Sequence, residues 1–357
     1  MQTAASAEAI ARLFELDAAP VIGVNGRTIR FLNAAARALF GAVPPGTPIR
    51  RLLPAHAALH QASAFLATAQ LRGTTHTVTV SSVPGLRLFR LEPMRTDVPF
   101  PDILAPDDLF SAELGLSSTF FSAYAATADD PAVRHYAARL EHTSDQLRRW
   151  VRNTTLLQEL QRGARIASQQ PTDCAALAAA LSETLEPMLS RREVRLSCTL
   201  PGSPCAVRVS PEVLECILLN LLSNAVRACR DGGAVHINLM HETRMAHLTV
   251  TDSGPGFAEG VLTALFRDYR ERTLHRADRS AAGYGLPVCL AAADAAGGAM
   301  LIENTRGGAA VHAFLPLAVS GRATLRAPVK PQLDAHTCRI GLSDALTDED
   351  YLPDPSA

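Results

Sequence analysis

The sequence predicts an α+β multidomain fold, and three observations support that prediction. Near the N-terminus, short runs of alternating apolar and polar residues flank Asn25-Gly26, which indicates a β-hairpin. From Pro131 onward, apolar residues recur at heptad spacing, which indicates a long helix. From residue 171 onward, amphipathic helical segments alternate with strand-like runs. The 357 residues therefore divide into blocks at 5–97, 104–166 and 171–318, followed by a tail at 319–357.

Composition excludes several classes of protein. No apolar run reaches 18 residues, so we predict no membrane span, and the N-terminus lacks the order of a signal peptide. A net charge of -1 gives no basic footprint, so we expect no direct binding of nucleic acid. The 7 cysteines form neither a CxxC pair nor a Cys/His cluster, which argues against a zinc site and a disulfide framework. We expect a cytoplasmic protein.

The first block has the pattern of a small α+β domain. A short helix is predicted after Asn33, and the later runs THTVTVS and LRLFRLE alternate at period two. This order resembles a PAS sensor domain, so we expect a PAS-like α+β domain over 5–97, with a small ligand among its partners. An unrelated α+β module fits the same pattern.

The second block is helical. Asp130 and Pro131 are typical of a helix start, and the stretch SAELGLSSTFFSAYA before them can supply an opposing helical face across a tight turn. A two-helix hairpin buries too little surface to stand alone, so we predict that residues 104–166 dimerise into a four-helix bundle. The heptad seam comprises Val133, Tyr136, Leu140, Thr143, Leu147, Trp150, Thr154 and Leu157.

Two amides lie on a predicted helix of the third block. A start at Ser210-Pro211 and a stop at Gly232-Gly233 place Asn220 and Asn224 four residues apart on one face. Amides on an apolar surface are costly to bury unless they bind something, and their carbonyl oxygens suit Mg²⁺. A pair of satisfied polar residues at a helix edge would give the same pattern.

Two glycine motifs follow these amides. The strand MAHLTVTD ends in Asp252, whose carboxylate can accept a hydrogen bond from an exocyclic amine, while Gly254 and Gly256 let a backbone approach a flat ligand. Gly283 and Gly285 directly precede an apolar helix, whose N-terminal N–H groups suit an anion. Each motif is weak alone, but the three in this order indicate a nucleotide site.

On these motifs, residues 171–318 resemble the ATP-binding domain of sensor histidine kinases, an α/β sandwich of the histidine kinase/Hsp90/topoisomerase type. NLLSNA is similar to the N box, DSGPGF to the G1 box, GYGLPV to the G2 box and LFRDY to the F box of that family. The resemblance implies ATP and Mg²⁺ as ligands, with Asn220 and Asn224 at the metal and the phosphates. It also places near the nucleotide Arg227, Asp252, Gly254, Gly256, Phe266, Gly283, Gly285 and Leu286.

The sequence departs from this family in details that concern ATP. Ala281 stands where many members have a glycine, and Ala228 where many have an aromatic residue against the nucleotide. The ATPases of the superfamily carry a glutamate at the position of Asn220, where it activates water. Without that general base, hydrolysis loses a factor of roughly 10²–10⁴, so the resemblance favours a kinase-type site.

The helical block resembles the dimerisation and phosphotransfer hairpin of the same family. Aligning Glu113-Leu114 with the family's His-Glu-Leu motif puts Ala112 at the acceptor histidine and leaves Glu113 at the general base. His142 on the second helix is the alternative acceptor. The competing interpretation is that His135 and His142, with Arg149 on the same stripe of the helix, face solvent.

Three functions fit these features. In the first, the protein is a homodimeric two-component sensor kinase that passes phosphate from ATP to a response regulator receiver domain through an unorthodox acceptor such as His142. In the second, it is a degenerate pseudo-histidine-kinase, a nucleotide- or ligand-gated adaptor, because Ala112 replaces the acceptor. The third is a serine/threonine kinase of the anti-sigma-factor type. The tail at 319–357 is expected to be a flexible linker with one helical turn around Ser343.

Overall fold

The computed structural model describes residues 7–54, 65–83, 85–93, 108–162, 171–229, 232–257, 285–318 and 333–353. The chain forms two compact units, which are described separately. The first contains the described residues up to 93, Phe257 and Ala299–Arg306, and the second contains the others. None of the helices in these ranges combines the length and the apolar character that a membrane crossing requires.

The described part of the first unit is an antiparallel sheet with two helices. The elements are α1 Ala7–Phe14, β1 Val21–Asn25, β2 Thr28–Leu32, α2 Ala34–Phe40, β3 Phe65–Leu71, β4 Thr74–Val83, β5 Leu86–Pro93 and β11 Ala299–Thr305. The strands lie side by side in the order β2-β1-β5-β4-β3-β11.

The hairpin predicted at Asn25-Gly26 is present, but its turn lies one residue later. Asn25 pairs with Thr28, so the two turn residues are Gly26 and Arg27, and Gly26 has a positive φ of 59°, which favours glycine. Asn33 then caps α2, because its side-chain oxygen accepts hydrogen bonds from the N–H groups of Ala36 at 2.8 Å and of Val21 at 2.9 Å. One buried amide therefore joins the hairpin to the helix, while the PAS resemblance stays a prediction.

The second unit begins with two long helices, α3 Asp108–Thr127 and α4 Pro131–Gln161. Asp130 caps α4 as predicted, since its side chain accepts a hydrogen bond from the N–H of Ala132 at 2.8 Å. The helices are held together by polar contacts: Ser118 Oγ donates to Asp145 Oδ1 at 3.1 Å, and Ser144 Oγ donates to the carbonyl of Leu114 at 2.9 Å. The predicted helical pair is thus present in the chain.

The two faces of α4 differ from the sequence prediction. Part of the heptad seam is exposed, with Tyr136 at 71%, Leu140 at 45% and Leu147 at 42%. The polar stripe that we interpreted as solvent-facing is buried at His142 and Arg149. The prediction of a solvent-facing His142 is therefore wrong, because other residues of the same unit cover that face.

The rest of the second unit is a mixed sheet with helices. β12, β10 and β9 are antiparallel neighbours, and β7 runs parallel to β9 at the edge. The α+β class is therefore confirmed. The elements are β6 Thr172–Asp173, α5 Cys174–Ser190, β7 Arg195–Thr199, β8 Ala206–Val207, α6 Pro211–Cys229, β9 Ala234–Glu242, β10 Met245–Asp252, α7 Gly285–Ala295 and β12 Gly308–Pro316.

The C-terminal segment, residues 333–353, is structured. It forms α8 Ala335–Leu342 and a 3₁₀ turn at Asp348–Tyr351. Asp334 caps α8, and seven side chains of the segment are buried: Cys338, Ile340, Leu342, Ser343, Ala345, Leu346 and Tyr351. The expectation of a flexible tail is therefore wrong for these residues, because the segment has an apolar face of its own that packs into the second unit.

Candidate nucleotide site

The three motifs lie on elements of the second unit that contact one another. Asn220 and Asn224 stand one turn apart on α6, Asp252 is the last residue of β10, and Gly285 is the first residue of α7. α6 packs against both β10 and α7, so the fold brings the motifs together. Two further residues assigned to the nucleotide, Phe266 and Gly283, lie outside the described residues.

Asp252 presents a carboxylate at the end of its strand. Its Oδ1 accepts hydrogen bonds from the N–H groups of Gly254 at 2.9 Å and of Ala309 at 3.3 Å. Burial raises the pKa of this carboxyl, and the two N–H groups oppose the rise. Both bonds go to one oxygen, so within the described residues Oδ2 is left to accept from a ligand amine.

Gly254 and Gly285 are needed for close packing within the protein. A Cβ on Gly254 would lie 2.7 Å from the carbonyl oxygen of Ala228 on α6. A Cβ on Gly285 would lie 3.0 Å from Asn220 Oδ1. The sequence suggested that Gly254 lets the backbone approach a ligand and that Gly285 opens an anion-binding helix start. In the structure both glycines also allow close packing, of β10 and of α7 against α6. Gly308, which the motifs did not include, has the same role beside Asp252, where a Cβ would lie 1.9 Å from the carbonyl oxygen of Asp252.

Gly256 and Leu286, which were also expected near the nucleotide, have different structural roles. Gly256 has a positive φ of 73°, so the G1 motif turns there in a conformation that favours glycine. Leu286 is buried in the first turn of α7. Its side chain is part of the apolar core that anchors α7, so the structure gives it a packing role.

Asn220 is held by the protein itself. Its Oδ1 accepts hydrogen bonds from Arg149 Nη2 at 2.9 Å and from Asn153 Nδ2 at 3.0 Å. Its Nδ2 donates to Asn153 Oδ1 at 3.0 Å and to the carbonyl of Cys216 at 2.9 Å. The prediction that Asn220 ligates Mg²⁺ does not hold for this arrangement, because its only acceptor atom already receives two donors, one of them cationic.

Arg149 is the residue that sequence reasoning missed. It lies on α4, its side chain is 5% exposed, and it forms an ion pair with Asp344 of the C-terminal segment. Burial lowers the pKa of its guanidinium, and the carboxylate of Asp344 opposes this, so the group stays charged. The available signal was the spacing of Arg149 and Asn153, four residues apart on one face of a helix.

Asn224 and Arg227 are the groups available to a phosphate chain. Asn224 is half-buried, and within the described residues its buried Nδ2 has no hydrogen-bond partner. Arg227, one turn further along α6, is exposed and approaches Asn224 Oδ1 at 3.5 Å. An unpartnered amide N–H beside a solvent-facing cation suits phosphate oxygens, and the amide oxygen suits Mg²⁺. Among the described residues, Asn224 Oδ1 receives only this 3.5 Å contact, from an exposed side chain that can turn away, whereas Asn220 Oδ1 receives two buried donors. Asn224 therefore fits the metal better than Asn220 does.

The two residues assigned to phosphate transfer are not brought together. Glu113 is exposed on α3. His142 is buried: its Nδ1 lies 2.6 Å from Asp348 Oδ1, its Nε2 lies 2.8 Å from the carbonyl oxygen of Ser343, and its ring stacks on Tyr351. Within the described residues, no hydrogen bond or ion pair joins Glu113 to His142. An acceptor role for His142 does not fit this geometry, since both ring nitrogens are engaged.

The region that contains the site is similar to a known family. Residues 210–319 match the family described as Histidine kinase-, DNA gyrase B-, and HSP90-like ATPase. The matched range includes α6, the end of β10 and the start of α7, so it covers all three motifs.

The chain is also similar to named sensor kinases. It is 29% identical over 183 residues to the adaptive-response sensory kinase SasA of Synechococcus sp. (strain JA-3-3Ab), and the aligned stretch covers 50% of this chain and 48% of the relative. It is 35% identical over 127 residues to the sensor protein PfeS of Pseudomonas aeruginosa, which covers 35% of this chain and 27% of the relative. The chain thus spans about half the length of these curated relatives, or less.

One solved structure aligns with most of the chain. The alignment with the histidine kinase ThkA, crystallised in complex with the response regulator protein TrrA, covers 86% of this chain and 98% of the ThkA chain, at 15% identity and a TM-score of 0.40. A score of that size supports no conclusion about how the domains are arranged.

Proposed function

We propose that this chain is a signalling protein that binds ATP and acts on a response regulator. The premise is that residues 210–319 match the histidine kinase-, DNA gyrase B- and HSP90-like ATPase family and that the chain is similar to sensor histidine kinases. The observation that supports this most directly is the position of Asp252. The N–H of Gly254 donates to the Asp252 carboxylate, and Gly254 packs closely on Ala228, which lies next to Arg227 and one turn from Asn224 on α6. An acceptor for the adenine amine therefore lies at the same end of α6 as the groups suited to phosphate.

Each group has a distinct task in this proposal. Oδ2 of Asp252 accepts from the exocyclic amine of adenine, which discriminates adenine from bases that carry a carbonyl there. Asn224 and Arg227 hold the phosphates, and Asn224 Oδ1 holds Mg²⁺. The metal, when bound, neutralises the charge of the phosphate chain. Arg227 supplies a further donor from the protein, because it is exposed at the end of α6.

Hydrolysis of ATP is not part of the proposal. Asn220 occupies the position at which the ATPases of the superfamily have a glutamate, and an amide cannot accept the proton of an attacking water. Its oxygen also receives two hydrogen bonds from Arg149 and Asn153, so it does not face solvent. The site therefore suits binding of ATP, or transfer to another acceptor, better than hydrolysis.

Binding of a non-hydrolysable ATP analogue tests the proposal. Wild-type protein and the Asp252→Asn variant are titrated with a fluorescent analogue in the presence of Mg²⁺. The variant replaces one acceptor oxygen with a donor, so its affinity should fall at least tenfold. The matched control is Glu242→Gln, an acidic residue near the opposite end of the same strand pair, which contacts His247 and should bind normally. Failure of the wild-type protein to bind the analogue would contradict the proposal.

A second function, the adaptor, is favoured by the state of the acceptor positions. Ala112 on α3 has no nucleophile, and His142 is held by Asp348 and Ser343. Asp348 and Ser343 present oxygen atoms to the two ring nitrogens, and the amide Nε2 of Gln146 lies 3.2 Å from His142 Nε2, so both nitrogens are engaged within the protein. A protein that binds ATP and a regulator but does not phosphorylate itself fits these observations.

Labelling with γ-labelled ATP separates the kinase from the adaptor. Label that is lost in acid, kept in base and absent from His142→Ala would show that His142 is an acceptor. Label that is stable in acid would indicate a hydroxyl acceptor and a serine/threonine kinase. ATP binding without label would support the adaptor, which is the outcome we expect from the geometry of His142.

Dimerisation is proposed through the exposed apolar side chains of the helical pair. These residues are spaced at four and seven positions, as in the seam of a four-helix bundle. A second copy of the pair would cover them. They are Leu116, Phe120 and Tyr124 on α3 and Tyr136, Leu140 and Leu147 on α4.

A further inference from the structure

The C-terminal segment is bound to α4 through buried charges. Arg339 of α8 forms ion pairs with Glu141 and Asp145, which are 1% and 0% exposed at their side chains, and its guanidinium lies over the ring of Tyr351 at 4.8 Å. Asp348 and Ser343 hold His142 on the next part of the same face. The segment therefore covers α4 over about two turns, with each buried acid of this contact facing a cation.

The same segment reaches the nucleotide site through a relay of two contacts. Asp344 forms an ion pair with Arg149, and both side chains are 5% exposed. Arg149 in turn donates from Nη2 to Asn220 Oδ1 at 2.9 Å. The guanidinium is thus held between a carboxylate of the C-terminal segment and an amide of the N-box motif.

The position of this guanidinium has a direct consequence for metal binding. Asn220 Oδ1 cannot point at Mg²⁺ while it accepts from Arg149, and two cations that share one amide oxygen would repel each other at short range. A Cβ on Gly285 would lie 3.6 Å from Arg149 Nη2, so the start of α7 also packs on this group. Arg149 therefore lies at the junction of α4, α6 and α7, with its positive charge at the amide oxygen that Mg²⁺ would otherwise use.

We propose that residues 333–353 are an intrachain latch, in which Asp344 holds Arg149 on Asn220 and thereby weakens the binding of Mg²⁺–nucleotide. The proposal rests on the proposed function, since it concerns the same nucleotide site. In the latched state, of the two asparagines Asn220 and Asn224, Asn224 is the one that offers an amide oxygen to the metal. Release of the segment frees Arg149, and Asn220 becomes a second oxygen ligand. By linkage, Mg²⁺–nucleotide favours the released segment as strongly as release favours the nucleotide.

The first test measures how much Mg²⁺ tightens the binding of a fluorescent non-hydrolysable ATP analogue, as the ratio of dissociation constants in EDTA and in Mg²⁺. The variants are Arg149→Met, which removes the cation, and Asp344→Asn, which weakens its anchor. The control is Arg152→Met: Arg152 directly precedes Asn153, is partly exposed and pairs with Glu215 of α6 at 2.9 Å, and among the described residues it makes no hydrogen bond to Asn220. We expect the ratio to rise about tenfold in Arg149→Met, less in Asp344→Asn, and not in the control.

A second measurement needs no substitution, so it holds even where Arg149→Met folds poorly. Amide hydrogen exchange of α8 is followed in the wild-type protein with and without saturating Mg²⁺–analogue, and the latch predicts faster exchange in its presence. An unchanged ratio in Arg149→Met, or unchanged exchange of α8 in the nucleotide-bound protein, would overturn the latch while ATP binding stands. Absence of nucleotide binding in the wild-type protein and in every variant would overturn the proposed function and the latch together.

Discussion

The guanidinium of Arg149 lies 2.9 Å from the side-chain oxygen of Asn220, and both side chains are buried. This contact joins a helix of the helical pair to the central helix of the ATP-binding region. Asn153 completes it, because its amide exchanges two hydrogen bonds of 3.0 Å with that of Asn220. Three buried polar side chains therefore connect the helical pair directly to the helix that carries the N-box motif.

Replacing Asn153 should destabilise the second unit. Asn153→Ala leaves the amide of Asn220 without two of its partners in a buried site, at a cost of about 2 kcal/mol in the free energy of unfolding. Urea denaturation measures the loss. Thr143→Ala on the same helix is the control, because Thr143 is exposed and bonds only to the carbonyl of Arg139 in its own helix. Equal midpoints for the two variants would show that the amide pair contributes nothing.

Much of this region was predictable because its signals are local. The helix start at Ser210-Pro211, the strand end at Asp252 and the glycines before α7 are each visible within a few residues, and the structure places all three on the expected elements. The first hairpin was predictable for the same reason, because a two-residue turn depends on local sequence, although the turn forms at Gly26-Arg27 and not at Asn25-Gly26.

The contacts of the C-terminal segment were not predictable from local signals. His142 meets Ser343 and Asp348 across more than 200 residues of sequence, and no spacing rule connects such positions. The acidic composition of the tail suggested disorder, because its charges look solvated when their partners are unknown. Arg149 was placed on an exposed stripe for the same reason, whereas Asp344 neutralises it in the folded protein.

Binding of ATP should weaken at mildly acid pH. Burial raises the pKa of Asp252 above the ordinary aspartate value, which is about 3.9. The carboxylate is a stronger acceptor for the adenine amine than the protonated acid, whose O–H can also oppose the amine, so affinity should be constant above the raised pKa and fall as the pH decreases through it. Titrations of the ATP analogue at a series of pH values measure this. Asp252→Asn should bind weakly with a flat profile, and a sloping profile in that variant would assign the pH effect to another group.

Arg339→Met should destabilise the second unit more at neutral pH than at acid pH. The substitution leaves Glu141 and Asp145 buried without their cation, which costs about 3 kcal/mol. Burial already raises the pKa of Glu141, and Arg339 opposes that rise, so the pKa increases further in the variant. A carboxyl whose pKa is higher in the folded than in the unfolded state takes up a proton on folding, so the loss shrinks as the pH falls through that pKa.

Denaturation in urea at pH 7 and pH 5 measures the effect of Arg339→Met. Arg139→Met is the control, because Arg139 is exposed on the same helix and its replacement should change stability by less than about 0.5 kcal/mol. A loss that is the same at both pH values would show that the charges of Glu141 and Asp145 do not carry the effect.

A charge in the exposed seam should dissociate the proposed dimer. Leu140 is 45% exposed on α4, and a second helical pair would bury it. Leu140→Asp places a carboxylate in that interface, so sedimentation should shift from dimer toward monomer. Leu13→Asp is the control, since Leu13 is 81% exposed on α1, away from the helical pair in the sequence, and should leave the dimer intact. A wild-type protein that sediments as a monomer at micromolar concentration would contradict the dimer.

Gly254 should not tolerate even a methyl group. In Gly254→Ala the new Cβ would lie 2.7 Å from the carbonyl oxygen and 2.8 Å from the carbonyl carbon of Ala228, which are backbone atoms of α6 and cannot move aside as a flexible side chain would. The strand end must shift, which costs about 1–3 kcal/mol and displaces Asp252. Both the urea midpoint and the affinity for the ATP analogue should therefore fall. Gly202→Ala is the matched control, because no atom lies within 4 Å of its added Cβ. If Gly254→Ala kept the wild-type affinity, the close approach of β10 to α6 would not position the carboxylate.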